Sequence, residues 1–219
     1  KRAASLAGHT PMACVQSQWI TTPAARADVQ RLRAEQCAII TGIGTQKMDD
    51  PSLTVRITRE DVGVEDELRQ PLRVVVDAKL QMSPEARMFQ QPGDTLVATL
   101  DGAEQREKSA ALAAAGAEVI FLPAMGEHID LHALLADLAG RGCNQVLVEA
   151  GAGLAGAFIA EGLLDELVCY WAPKLFGDDA RPMFNLPIRT IDAHLALSVK
   201  DMRMIGEDIR VTLYPDKDY

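Results

Sequence analysis

Six short runs rich in Val, Ile and Leu constrain this chain most: "CAIITGIG", "PLRVVVDA", "DTLVATL", "AEVIFLP", "NQVLVEA" and "ELVCYWAP". None shows the clean alternation of a sheet with one wet face. Runs of this kind suit strands covered on both sides, as in parallel sheets. Helical patterns fall between them, at about 103–115, 130–140 and 152–161. Another spans residues 19–36, where Thr21 or Thr22 can cap the helix and Pro23 suits its first turn. Ala25, Val29 and Leu32 give that helix one apolar stripe. "DDPSLTVR" reads as a turn followed by a short strand. At the end of the chain, "LALSVKDMRM" and "EDIRVTLYP" flank "IGE" and read as an antiparallel hairpin. The expectation is a single α/β domain over residues 1–219, with a mixed, mostly parallel central sheet, flanking helices and an antiparallel end.

Composition narrows the function. The 219 residues carry a net charge of −9, which argues against a nucleic-acid partner. It leaves room for a phosphorylated small molecule, which needs only two or three local cations. Aromatics are 5% of the chain, so aliphatic side chains must build the core. Cys14, Cys37, Cys143 and Cys169 show no C-x-x-C spacing and read as reduced, small hydrophobic residues of a cytoplasmic protein. No run is long enough for a membrane span, and no signal peptide is evident. The chain begins without Met, so its first residue can be a processed or excised start.

"NQVLVEAGAGLAGAF" holds a literal G-x-G-x-x-G at Gly151, Gly153 and Gly156. The dinucleotide fingerprint needs an acid at the end of the next strand. Here that strand ends in Pro173 and Lys174. Two readings remain: a phosphate loop on another α/β fold, using the N–H groups that open the 152–161 helix, or small residues for tight packing. Glu149 stands just before the loop, at the carboxyl end of a strand, where open α/β sheets bind ligands.

A second polar cluster follows "CAIITGIG". Gly42, Gly44 and Thr45 succeed the strand, and Asp49, Asp50 and Pro51 then turn the chain. Asp50 reads as a turn residue bonding local backbone. Asp49 is the better site candidate. Arg33 and Arg56 are able to hold a phosphate by two hydrogen bonds, or to pair with surface acids. Other features carry less. His128 and His132 are four apart on an expected helix, a metal-compatible spacing, but lack a third ligand, so no metal is expected. "EDELRQ" reads as a solvated loop, Met82 and Met88 as gap-fillers, and Lys79 as an exposed lysine or a contact for a cofactor phosphate.

Five separated motifs, in order, are similar to one known family: "SQWIT…AR.DVQ.LRA", "TGIGT…DDPSLTVR", "PLRVVVDA", "VLVEAGAGLAGAF" and "APKLFGDDARPMF". They resemble the reductase domain of the bifunctional riboflavin-biosynthesis deaminase/reductase, over nearly the whole chain. The resemblance implies a dihydrofolate-reductase-like fold and a cytoplasmic homodimer. It also implies NADPH-dependent reduction of 5-amino-6-(5-phosphoribosylamino)uracil, with hydride adding to C1′ of the opened ribose. Carried over by motif, Ala3, Trp19, Thr45, Asp49 and the loop Gly151, Ala152, Gly153, Leu154, Ala155, Gly156 and Ala157 would contact the cofactor. Ser17, Arg33, Leu53, Arg56 and Glu149 would line the substrate. Glu149 is the first candidate for orienting substrate or assisting proton transfer, and Asp49 the second.

The sequence also departs from the family pattern. "SLAGHT" has Ala7 and His9 where S-L-D-G-R-T is usual. Pro11 and Val15 are unusual in the segment that follows, and Ala78 stands where the family often has Ser. The H-x-E and P-C-x-x-C ligands of the deaminase half are absent from these residues, so the expectation is a reductase domain alone. Two other readings follow: the same fold acting on another pyrimidine or a pterin-like compound, or a nucleotide-binding domain without turnover.

Overall fold

The computed structural model describes residues 1–12, 20–63 and 68–216. Along the chain run β1 (Arg2–Ser5), β2 (His9–Met12), α1 (Pro23–Ala34), β3 (Ala38–Gly42), α2 (Ile43–Asp49), α3 (Arg59–Val62), β4 (Leu72–Val76), β5 (Thr95–Leu100), α4 (Ala103–Ala114) and β6 (Ala117–Leu122). There follow β7 (Ala124–Met125), β8 (His128–Ile129), α5 (Leu131–Gly140), β9 (Val146–Val148), α6 (Ala152–Ala160), β10 (Leu167–Ala172), β11 (Ala180–Pro182), β12 (Leu197–Ile205) and β13 (Asp208–Pro215). The chain divides into two compact units, residues 30–150 and residues 1–29 with 151–219.

The 30–150 unit is built on a five-stranded sheet in the order β6-β5-β4-β3-β9, parallel throughout. Ile39, Ile40, Val74, Val75, Leu96 and Val97 are fully buried, which is why these strands lack alternation. α5 turns Leu131, Leu134 and Leu138 inward, and its N-cap Asp130 accepts a hydrogen bond from the N–H of Ala133 at 3.0 Å. The order has a functional consequence. From β3 the sheet grows through β4, β5 and β6 to one side, then returns with β9 on the other. β3 and β9 thus end side by side where the strand order reverses, the place at which open α/β sheets bind ligands.

The other unit carries a four-stranded sheet in the order β1-β10-β13-β12. β1 and β10 are parallel, and the other pairs are antiparallel. The expected C-terminal hairpin is β12–β13, turning at Gly206 with φ +62°. It belongs to this second sheet rather than closing the first one. Ala4, Leu167, Cys169 and Met183 form its core, with Trp171, Phe184 and Leu213 packed on them.

Three local expectations are corrected. The short strand expected in "DDPSLTVR" is absent: residues 51–56 have no regular structure. Asp50 and Leu53 have φ of +38° and +49°, which breaks an extended course. The hydrogen bonds a strand would use go to side chains instead. Gln70 accepts from the N–H of Val55 and donates to its C=O, both at 2.9 Å, and Gln30 accepts from the N–H of Arg56 at 2.9 Å. Gln70 thus leaves the solvated role expected of "EDELRQ", of which residues 65–67 lie outside the described residues. His128 and His132 do not share a helix, because His128 lies in β8 and α5 begins at Leu131. Pro23 opens α1 as expected, and the C=O of Thr22 before it accepts from the N–H of Arg26 at 3.1 Å, while Thr22 gives its own N–H and hydroxyl to Asp208, at 2.7 and 2.5 Å.

Candidate functional site

In the parallel unit, β3 and β9 place their following residues side by side. The ladder pairs Ile40 with Val148, and the N–H of Glu149 continues it to the C=O of Ile40 at 2.8 Å. Glu149 is therefore fixed at the carboxyl end of β9, beside the carboxyl end of β3. Arg33, from the last turn of α1, grips it with two prongs: Nε to Oε1 at 2.6 Å and Nη2 to Oε2 at 3.0 Å. The remaining nitrogen, Nη1, donates to the C=O of Thr54 at 3.2 Å. The side chains are only 12% and 10% exposed. Burial pulls the Arg33 pKa down, but the charge and hydrogen bonds of Glu149 outweigh it and the net shift is upward.

This triangle joins three segments read separately in sequence. It commits Arg33 to Glu149 and to backbone. Leu53, one residue before the Thr54 carbonyl, is buried with a left-handed backbone. Branched side chains at positive φ are uncommon and strained, and such strain collects at functional sites. Arg56 is exposed, and its guanidinium has no hydrogen bond or ion pair among the described residues. It is the cation of this group left available to a ligand.

After Gly42 the chain enters α2 at once, so the segment holding Gly44 and Thr45 is a helical first turn rather than a glycine loop. Thr45 is half-buried there, and Asp49 is exposed at the helix end. Asp50 is structural. It adopts the left-handed conformation, its N–H closes α2 onto Gln46, and its carboxylate accepts from the N–H of Arg87 at 3.1 and 3.3 Å.

In the other unit, Gly151 is the N-cap of α6, and no side chain among the described residues caps that end. Its first-turn N–H groups have the arrangement that favours an anion. The glycines divide. A Cβ on Gly156 would lie 2.0 Å from the backbone O of Asn185, whereas a Cβ on Gly153 would meet nothing within 4 Å. The N–H of Asn185 also donates to the C=O of Ala152 at 3.1 Å. Gly156 therefore serves packing, and Gly153 leaves the helix end open. Leu154 and Ala157 are half-buried and Ala155 is buried. Ala3 lies within β1, opposite Tyr170. Ser17 and Trp19 lie outside the described residues, as does Val15.

One residue not singled out from sequence stands at the carboxyl end of β4. Asp77 is fully buried and accepts from the N–H groups of Gln81 and Met82 at 2.6 and 2.8 Å. Its other oxygen has no hydrogen-bond partner among the described residues, and burial raises its pKa. It pins the turn that presents Lys79, which is exposed. An Asp closing an apolar strand run was its signal. No group of three His, Cys, Asp or Glu able to hold a metal occurs among the described residues. No described helix is long and apolar enough to cross a membrane.

The model of the RibD C-terminal domain matches residues 1–211. Riboflavin biosynthesis protein RibD of Escherichia coli is 40% identical over 215 residues, covering 95% of this chain and 57% of that protein. The same-named protein of Chlamydia trachomatis is 44% identical over 213 residues, covering 97% and 52%. The structure of Acinetobacter baumannii RibD superposes with a TM-score of 0.82 at 36% identity, over 99% of this chain and 57% of that one. A Thermotoga maritima deaminase/reductase, at 23% identity and a TM-score of 0.78, supports the fold alone. The chain spans a little over half the length of these relatives. It has the dihydrofolate-reductase-like fold expected of it, and with a family model covering nearly its whole length it belongs to the RibD C-terminal domain family.

Proposed function

We propose that residues 1–219 form a single reductase domain that uses NADPH to reduce 5-amino-6-(5-phosphoribosylamino)uracil to its ribitylamino counterpart in riboflavin biosynthesis. The observation that carries this reading is the buried Arg33–Glu149 pair at the sheet's switch point, in a chain of this family. A carboxylate held by both prongs of a guanidinium accepts hydrogen bonds rather than giving up a proton. That favours Glu149 as the group that orients ribose hydroxyls, and leaves proton transfer to another group, with Asp49 the next candidate. Arg56, exposed two residues after the Thr54 carbonyl that Arg33 holds, is the better choice than Arg33 for the ribose phosphate.

The residues fit a nicotinamide dinucleotide. The uncapped start of α6 and the open space at Gly153 suit a pyrophosphate approaching backbone N–H groups. When bound, NADPH supplies the hydride for C1′ of the opened sugar. Ala3, Trp19, Thr45 and Asp49 complete its proposed contacts, and Ser17 and Leu53 those of the substrate. We further place the protein in the cytoplasm as a homodimer.

The test is oxidation of NADPH by the purified protein with this substrate, followed at the nicotinamide absorbance band. Substrate-dependent oxidation is expected. Replacement Glu149→Gln removes a charged acceptor and should lower kcat/KM by about 10- to 100-fold, the worth of a charge-assisted hydrogen bond. NADPH bound but never oxidised would instead favour a binding domain without turnover. Oxidation only with another pyrimidine or a pterin-like compound would move the substrate.

A further inference from the structure

The opposite end of the parallel sheet holds a second concavity, of about 650 Å³. Its walls come from the amino ends of β3, β4, β5 and β6, and include Cys37, Arg69, Arg141 and Cys143. It lies away from Glu149 and Gly42, which stand at the carboxyl ends. Two of the chain's thiols thus open on one solvent-reached space, both of them free and half-exposed.

Their spacing follows from the ladder. Ala38 pairs with Val146, so Cys37 stands opposite Gln145, and its N–H donates to the C=O of Gln145 at 3.0 Å. Adjacent strands lie about 4.8 Å apart. Cys143 is two residues upstream of Gln145, where Gly142, at φ +81°, has just turned the chain out of α5. The N–H of Cys143 remains tied to the C=O of Leu138 at 2.9 Å. The chain therefore curls at this point, and Cys143 lines the same concavity as Cys37 at the start of β3.

The two thiols differ in chemistry. Hydrogen bonds from the backbone N–H of Gln145, opposed by burial and aided by Asn144 and Arg69, hold the Cys37 thiol below its ordinary pKa. Burial, and then the neighbouring Cys37 charge, push Cys143 up. Cys169 is 1% exposed, and burial pushes it up to about 11. The thiolate is the reactive form, and exposed, positively flanked thiols are the ones oxidised.

We propose that Cys37 and Cys143 are a peroxide-oxidised dithiol pair, with Cys37 the attacking and Cys143 the resolving residue. The Cys37 sulfur attacks a hydroperoxide and the O–O bond breaks. Cys37 becomes a sulfenic acid, and the other oxygen leaves as water or an alcohol. The Cys143 sulfur then attacks the Cys37 sulfur. An S–S bond forms, the S–O bond breaks, and hydroxide leaves with the Cys143 proton as a second water. The two thiols lose two electrons and the peroxide gains them. The disulfide would tie the amino ends of β3 and β9, whose other ends carry the α2 turn and Glu149.

The experiment treats the full chain with hydrogen peroxide, alkylates the remaining thiols and maps every cysteine by peptide mass spectrometry. Iodoacetamide at neutral pH should label Cys37 in the untreated protein about 10-fold or more faster than Cys169. Peroxide should yield a peptide pair joined through Cys37 and Cys143, reversed by a dithiol reductant. The Cys143→Ser variant should instead accumulate Cys37 sulfenic acid, trapped by dimedone, with an unchanged thermal midpoint showing that it is folded. Three results would overturn the proposal: both thiols still alkylated after peroxide, Cys37 bonded to Cys14 instead, or no sulfenic acid at Cys37 in the variant.

Discussion

At residue scale, the most informative comparison lies within one motif. Gly151, Gly153 and Gly156 look alike in sequence, and spacing alone left both packing and ligand approach open. The contacts separate them. Gly156 has the carbonyl of Asn185 where a Cβ would stand, at 2.0 Å, and backbone yields less readily than a side-chain tip. Gly156→Ala should therefore destabilise the protein by about 1–3 kcal/mol, the range for overpacking, read as a lower denaturant midpoint. Gly153 has open space. Gly153→Ala should be neutral or stabilise α6 by up to about 1 kcal/mol through helix propensity. If backbone N–H groups there receive NADPH, the same variant should weaken NADPH binding, measured by calorimetry. Equal NADPH affinity in Gly153→Ala and the parent would leave that glycine with no ligand role. The Arg33–Glu149 pair was less legible. Both residues stood out as site candidates, but they are 116 positions apart, and only the return of β9 beside β3 brings them together.

At the scale of elements, the buried strands were readable because a doubly covered strand leaves its mark on every residue. The 51–56 segment was not. It has strand-like residues, yet Gln70 supplies the donor and acceptor a neighbouring strand would have given Val55. Nothing local in "PSLTVR" announces a glutamine fourteen or more positions downstream. The turn after β4 offers a sharper test. Asp77 is buried, with one oxygen bonded to two N–H groups and the other without a partner among the described residues. Burial is the largest influence on it and raises its pKa in the folded state. The folded protein thus holds this proton more tightly than the unfolded chain, whose Asp titrates near ~4. The stability it contributes is full below that value and is lost as pH rises through the folded pKa. Asp77→Asn keeps an acceptor for the two N–H groups but does not titrate. Denaturant unfolding from pH 7 downward should show the wild type gaining stability relative to Asp77→Asn as the pH approaches 4. A gap between the two proteins that stays constant over this range would mean the Asp77 pKa is not raised.

For the whole molecule, β12 bears on the proposed homodimer. Register places Val199 opposite Leu213, Met202 opposite Val211 and Met204 opposite Ile209, so these six side chains share one face of the hairpin. On β13 that face goes under cover, and Val211 is 2% exposed. On β12 it does not: Val199, Met202 and Met204 are 62%, 68% and 60% exposed. Among the described residues β12 is also an edge strand, nine residues long, with no strand paired along its outer side. Yet the register slips between Val199 and Asp201, around Lys200, and Arg203 pairs with Asp201 at 3.3 Å. A bulge and charges of this kind blunt edge-to-edge pairing. Association should therefore run through the methionine-bearing face rather than by adding strands. Sedimentation equilibrium at micromolar concentration should show a dimer for the parent chain. Met202→Lys combined with Met204→Lys should shift it to monomer, because each lysine places a charge on surface the partner would desolvate. Far-ultraviolet circular dichroism should be unchanged, since both positions are already open to water and contribute little to folding. A parent chain that sediments as a monomer would remove the dimer from the proposal. A double variant that remains dimeric would keep the dimer but move its interface off β12.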